Sequence, residues 1–147
     1  MAIALDQRVH LPQSIGMKIL ITGGAGFIGS AVVRYFSRDC GFEVINLDKL
    51  TYAGNLSSVE SVSNLPNYIF EHHDICDEAA VDRIFRAHTP DAVIHLAAES
   101  HVDRSIDGPA PFLETNVKGT FTLLESARSY WCGLPVSARD KFRFIHV

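Results

Sequence analysis

The sequence predicts an α/β fold, a doubly wound parallel sheet of about five strands with helices on both faces. Three observations carry this. Short apolar runs alternate with longer amphipathic stretches along the whole chain. A glycine-rich run, Gly23-Gly24-Ala25-Gly26-Phe27-Ile28-Gly29, separates the first apolar run from the first amphipathic one. An acid, Asp48, ends the second apolar run.

Residues 18–22 are short, apolar and stopped by glycines, which reads as a buried strand. Residues 26–38 follow helical spacing through Phe27, Ile28, Ala31, Val32, Tyr35 and Phe36, and Gly41 sits where a helix C-terminal glycine belongs. Residues 42–47 form a second strand. A polar loop from Asp48 to about Ser57 leads into a short irregular or helical piece ending at Ser63. Pro66 precedes a third strand, 68–71. Residues 77–87 read as a helix with Asp77 as N-cap and Ala80, Val81, Ile84 and Phe85 on the buried face. Residues 91–96 are a fourth strand. After a loop with Asp107-Gly108-Pro109, a long helix runs over about 110–131 with Phe112, Leu113, Asn116, Val117, Thr120, Leu123, Leu124 and Ala127 at helical spacing. Residues 141–147 make a fifth strand. Right-handed crossovers leave one favoured strand order, 3-2-1-4-5, with a ligand crevice where the order reverses, at the carboxyl ends of strands one and four.

Composition bounds the function. The chain has 147 residues, 47% hydrophobic and 20% charged, enough for one domain with a sizeable core. The formal net charge of -4 and the lack of a basic stripe argue against a nucleic-acid partner. No apolar run reaches the roughly 20 residues that span a bilayer, so no membrane partner is expected. The three cysteines, Cys40, Cys76 and Cys132, are far apart and form no C-x-x-C pair. They fit reduced thiols in a cytoplasmic protein, with neither a zinc site nor a disulfide framework. His72, His73 and His95 lack metal-ligand spacing and read as structural. Residues 1–16, whose apolar residues are interrupted by Asp6, Arg8, His10 and Gln13, read as an extension without a signal-peptide pattern, with no requirement to be ordered. Residues 17–147 form the domain.

The glycine run has the context a phosphate loop requires, since it follows a strand and opens a helix. Gly23 permits a tight turn, Gly26 lets backbone approach a pyrophosphate, and Gly29 lets the helix pack closely on the strand. The helix N-terminus offers free N–H groups and partial positive charge to phosphates. Asp48 lies about where the dinucleotide fingerprint places an acid, roughly 20 residues on. Its carboxylate would accept from ribose hydroxyls and repel a 2′-phosphate, favouring NAD over NADP, although Lys49 follows directly. The fold is therefore read as Rossmann-type, with the spacing G-x-x-G-x-x-G.

The stretch from Ile19 to Ser30 resembles the opening of extended short-chain dehydrogenase/reductases that act on nucleotide sugars. Two further blocks resemble one family, the dTDP-glucose 4,6-dehydratases: Asn46-Leu47-Asp48-Lys49-Leu50-Thr51-Tyr52-Ala53-Gly54-Asn55-Leu56, and His95-Leu96-Ala97-Ala98-Glu99-Ser100-His101-Val102-Asp103-Arg104-Ser105-Ile106. The run from Phe112 to Thr120 continues the match, and the resemblance covers residues 17–147.

The resemblance implies a set of NAD contacts. Phe27 and Ile28 would line the pyrophosphate turn, and Asp48, Lys49, Leu50 and Thr51 would surround the adenosine. Asp74 and Ile75 would flank the adenine, where Asp74 taken alone also reads as a turn acid. Leu96, Ala97, Ala98, Glu99 and Ser100 would pass under the nicotinamide half, with Ser100 also touching the sugar nucleotide. Thr115 would contact the cofactor, the alternative being a hydroxyl bonded to its own helix. The family reaction is an internal redox dehydration that uses a Tyr-x-x-x-Lys pair and a Ser-Thr-Asp-Glu motif after strand five. Tyr35, Tyr52, Tyr68 and Tyr130 lack a lysine four residues later, and the chain reaches Val147 before that motif. No catalytic residue is therefore expected here, the chain reads as the cofactor-binding part of such an enzyme, and a sugar nucleotide would bind only with the remaining part. The resemblance also places the 110–131 helix at a dimer interface, so a homo-oligomer is expected. Two alternatives stay open: a non-catalytic module that binds NAD or a protein, and a portion of another nucleotide-sugar epimerase or decarboxylase.

Overall fold

The computed structural model describes residues 16–100 and 108–147. The N-terminal extension up to residue 15 and the His101–Ile106 part of the second family block lie outside these. One five-stranded sheet organises the rest: β1 (Lys18–Thr22), β2 (Glu43–Leu47), β3 (Tyr68–Glu71), β4 (Ala92–His95) and β5 (Arg143–His146). All four pairings are parallel, and the order is β3-β2-β1-β4-β5, as the alternating pattern required.

Parallel strands need crossovers, and helices supply them on both faces. On one face lie α1 (Phe27–Arg34) and a 3-10 helix (Leu56–Val62). On the other lie α2 (Glu78–His88) and a long helix made of α3 (Ala110–Phe112), a π-helical stretch (Leu113–Gly119) and α4 (Thr120–Gly133). The alternation of side chains along a strand splits the core in two. Leu20, Ile45, Leu47 and Val93 pack with Val81, Ile84, Phe85 and Leu123 on the α2/α4 side. Ile19, Ile21 and Val44 pack with Val33, Val59 and Val62 on the α1 side. β1, at the centre, is apolar on both faces, which is why it reads as an unbroken apolar run.

Helix ends follow local chemistry. Asp77 caps α2 by accepting from the Ala80 N–H at 3.1 Å. Gly41 turns the chain after the first helix with φ of +70°.

Several boundaries differ from the sequence reading. The first helix starts at Phe27 and runs on as a π-helical turn, Tyr35–Asp39, where the Cys40 N–H reaches back to the Tyr35 carbonyl. The expected continuous helix over 110–131 carries its own π-helical stretch. The strands expected at 42–47, 91–96 and 141–147 are shorter at one or both ends, at Glu43–Leu47, Ala92–His95 and Arg143–His146. α5 (Val136–Arg139), a single turn led in by Pro135, has no counterpart in the sequence reading, since four residues are too few to show a period.

Candidate functional site

A cleft of about 540 Å³ opens at the carboxyl ends of β1, β2 and β4, where the strand order reverses. Its floor is the glycine loop. Gly23 has φ of +73°, and a Cβ there would stand 2.7 Å from the Ala97 nitrogen, so the β1 and β4 loops meet at a spacing that only glycine allows. A Cβ on Gly29 would meet the Gly23 carbonyl oxygen at 2.1 Å. Gly29 thus lets the first helix seat on the loop's own turn, rather than on the body of the strand as the sequence reading had it. The first intrahelical bond of α1 runs from the Ser30 N–H to the Gly26 carbonyl. The amides of Phe27, Ile28 and Gly29 precede it and lack an acceptor within the helix. Phe27 and Ile28 are exposed on the cleft wall.

Asp48 is built into this loop. Its Oδ2 accepts from the Ala25 N–H at 2.9 Å, and its Oδ1 accepts from the Leu50 N–H at 2.8 Å. The second bond supports Leu50 at φ of +55°, a conformation costly for a branched side chain. The Asn55 N–H returns to the Ala25 carbonyl at 3.0 Å, so the 48–55 loop and the glycine loop form one unit.

The far wall is the loop after β4. Leu96, Ala97, Ala98, Glu99 and Ser100 all line the cleft. Two devices hold it. The buried Thr22 hydroxyl accepts from the Leu96 and Ala97 N–H groups, each at 3.3 Å, and lies 2.7 Å from His95 Nδ1. A hydroxyl with both lone pairs engaged has its proton left for Nδ1. His95 is then the Nε2–H tautomer, which donates to Thr120 Oγ1 at 2.9 Å. Burial pushes His95 down to about 4, with His146 adding repulsion, so it stays neutral. It therefore links β1, β4 and α4. The second device is Asn116, whose Oδ1 accepts from the Glu99 N–H at 2.8 Å while its Nδ2 donates to the Glu99 carbonyl at 2.9 Å. Tyr52 Oη, from the loop after β2, donates to Glu99 Oε2 at 3.1 Å.

Thr115 and Asn116 both lie in the π-helical stretch, a feature that recurs at functional sites. Thr115 lines the cleft, and its hydroxyl accepts from Lys49 Nζ at 3.1 Å rather than bonding its own helix. Lys49 also pairs with Asp74 Oδ2 at 3.2 Å. Asp74 Oδ1 caps the turn after β3 by accepting from the Cys76 N–H at 2.9 Å. Burial raises the Asp74 carboxyl, but the Cys76 and Lys49 bonds outweigh it and hold it below the ordinary carboxylate range. Of the seventeen residues that the sequence singled out, the cleft lining holds all but Leu50 and Asp74, which bond to the lining residues Asp48 and Lys49. Sequence reasoning left out Tyr52, His73 and Asn116. Asn116 carried a signal, an amide at a core-facing position of an apolar helix, where its polar atoms need partners.

Among the described residues no cluster of His, Cys, Asp or Glu is placed to hold a metal ion, and no helix is long and apolar enough to cross a membrane. Cys76 is pushed up to about 11 by burial and by Asp74, which leaves it a neutral thiol.

Comparisons with known proteins agree with this geometry. Residues 20–147 match the family model of GDP-mannose 4,6 dehydratase. The dTDP-glucose 4,6-dehydratase of Shigella flexneri is 62% identical over 131 residues, covering 89% of this chain and 36% of that protein. The crystal structure of the Streptomyces venezuelae dTDP-glucose 4,6-dehydratase with NAD bound aligns at a TM-score of 0.73 and 49% identity, over 78% of this chain and 36% of that one. The UDP-glucose 4-epimerase of Thermotoga maritima aligns at 0.71 and 39% identity, over 87% and 37%. The chain thus spans about a third of the length of these relatives, and the fold is shared across two activities. With its sheet order, its glycine loop and a match that runs from Leu20 to Val147, the chain belongs to the GDP-mannose 4,6 dehydratase family.

Proposed function

We propose that this chain is the NAD-binding part of a dTDP-glucose 4,6-dehydratase. The observation that carries the proposal is a single cleft in which a glycine loop at a helix N-terminus faces the β4 loop across the switch point. The closeness of Gly23 to Ala97, which leaves no room for a Cβ, matches a site where backbone approaches an extended ligand. The amides of residues 27–29 would hold the pyrophosphate. Asp48, with one lone pair committed on each oxygen, has others to accept from ribose hydroxyls. Lys49, Leu50, Thr51, Asp74 and Ile75 would enclose the adenosine. Leu96, Ala97, Ala98, Glu99, Ser100 and Thr115 would support the nicotinamide half, and Ser100 would reach the sugar nucleotide once the rest of the enzyme is present. NAD would supply the hydride acceptor for a sugar carbinol.

This chain alone is proposed to turn nothing over, because none of Tyr35, Tyr52, Tyr68 and Tyr130 is followed by a lysine at the fourth position. Calorimetric titration with NAD is expected to show one saturable site, and incubation with dTDP-glucose and NAD to yield no 4-keto-6-deoxy sugar. Absence of NAD binding would sink the first statement, and product formation the second.

We further propose that the chain self-associates through the long helix. Leu113, Val117, Phe121 and Leu124 form a stripe along it, from 44% to 63% exposed. Such a stripe on a helix is a pairing surface. Light scattering at micromolar concentration is expected to give at least a dimer, and Phe121→Glu a monomer. A monomeric parent protein would refute this.

A further inference from the structure

The sequence sets two opposed charges side by side at the adenosine end. Asp48 favours free ribose hydroxyls, whereas Lys49, the next residue, is a cation that could welcome a 2′-phosphate. The tertiary structure resolves the conflict through residues remote in the chain. Lys49 lines the cleft, yet its ammonium points to Asp74 Oδ2 at 3.2 Å and Thr115 Oγ1 at 3.1 Å. Asp74 cannot swing away freely, because its other oxygen is fixed by the Cys76 N–H at 2.9 Å. Thr115 is 4% exposed and is carried by the π-helical stretch of the long helix. Lys49 is thus held at both of its acceptors by groups with little freedom.

We infer that Asp74 is a specificity-determining residue that excludes a 2′-phosphorylated dinucleotide by engaging Lys49 with the help of Thr115. This rests on the NAD reading above. The reasoning is a local charge count. With Asp74 ionised, the neighbourhood holds one cation and two carboxylates, Asp48 and Asp74. A 2′-phosphate brings close to two further negative charges. It would have to strip Lys49 from its partner and leave Asp74 unpaired beside it. Removal of the Asp74 charge leaves Lys49 free to donate to the phosphate, against Asp48 alone. Of the other ionisable groups nearby, Cys76 is neutral, Lys118 pairs with Glu114, His73 lies beside Glu71 at 3.9 Å, and His72 Nε2 meets the Lys49 carbonyl at 3.3 Å, on the backbone side of that residue.

The test is titration of the 147-residue chain with NAD and with NADP, for the parent protein, Asp74→Asn, Lys49→Gln and the double variant. Asparagine keeps an acceptor for the Cys76 N–H, so the turn is retained. The parent is expected to prefer NAD. Asp74→Asn is expected to raise the ratio of NADP to NAD affinity about tenfold, the scale of one charge-assisted hydrogen bond. The gain should vanish in the double variant and shrink with added salt. Thr115→Val, which removes the second acceptor and leaves Asp74 intact, is expected to raise the same ratio about two- to threefold by the same logic. A ratio that stays put in both single variants, or a gain that survives loss of Lys49, overturns the inference while NAD binding by the parent stands. A parent chain that binds neither dinucleotide overturns the NAD reading itself, and this inference with it.

Discussion

β1 and β5 are strands of the same sheet, joined to their neighbours by the same parallel ladder, yet they are unlike in every other respect. β1 lies between two strands and under helices on both faces, with Ile19, Leu20, Ile21 and Thr22 buried. β5 lies at the edge, with Ile145 half exposed. The contrast shows that backbone pairing places a strand, whereas burial by a covering layer gives it stability and a site to hold. Three of the devices that shape the cleft are anchored at the end of β1: the Gly23 turn, the Thr22 hydroxyl, and His95 opposite it in the register.

Substitutions can break this contrast or sharpen it. The largest effect is expected where the first helix meets the turn after β1. Gly29→Ala would drive a Cβ into the Gly23 carbonyl, where backbone has no room to yield. The expected cost is about 3 kcal/mol or more in a urea melt, with loss of the cleft. A change under 1 kcal/mol would mean that the loop adapts.

His95→Ala comes next. It would orphan the Thr22 and Thr120 hydroxyls in the interior, at an expected cost of about 2–3 kcal/mol. The pH dependence carries the same signature. The folded chain holds His95 at about 4 against an ordinary 6.5, so the unfolded chain takes up its proton first. The stability that His95 contributes is complete above about pH 6.5 and is lost as pH falls toward 4. Glu71 adds a later loss. The Arg83 hydrogen bonds, with His88, hold its carboxyl down to about 2 against an ordinary 4.5, even though burial opposes them. Its contribution is present above about pH 4.5 and fades toward 2. Stability curves for the parent and for His95→Ala should therefore converge between pH 6.5 and 4. Parallel curves would show that His95 does not titrate as described.

The smallest effect is expected at β5. Ile145→Ala removes apolar surface that is already half in water, for about 1 kcal/mol or less. A loss as large as that of Gly29→Ala would mean that the edge strand is covered, for example by a second copy of the chain, and would erase the contrast.

The contrast also explains what could be read in advance. β1, β2 and α2 declare themselves, because an apolar run ended by glycines, another ended by Asp48, and a helix opened by Asp77 are local signals. The strand order followed from handedness, which is a property of L-amino acids rather than of this chain. The glycine loop was legible because the types and the spacing are dictated by close approach. The π-helical stretches were not, since a one-residue change in helical period disappears among side chains that still recur every three or four positions. Asn116 and Tyr52 were missed for a related reason: their partner, Glu99, is distant in sequence, and only the crossover brings them together.

By itself, then, the sequence determined the alternation of strands and helices, the position of the phosphate loop, the acid at the end of β2 and the family. Each depends on residues near one another in the chain. The tertiary structure alone decided which charges cancel. It joined Lys49 to Asp74 and Thr115, Asp48 to the amide of Ala25, and His95 to threonines on either side. Electrostatics and hydrogen bonds act over a few ångströms of space, and a chain folded into a parallel sheet brings into that range residues that lie tens of positions apart.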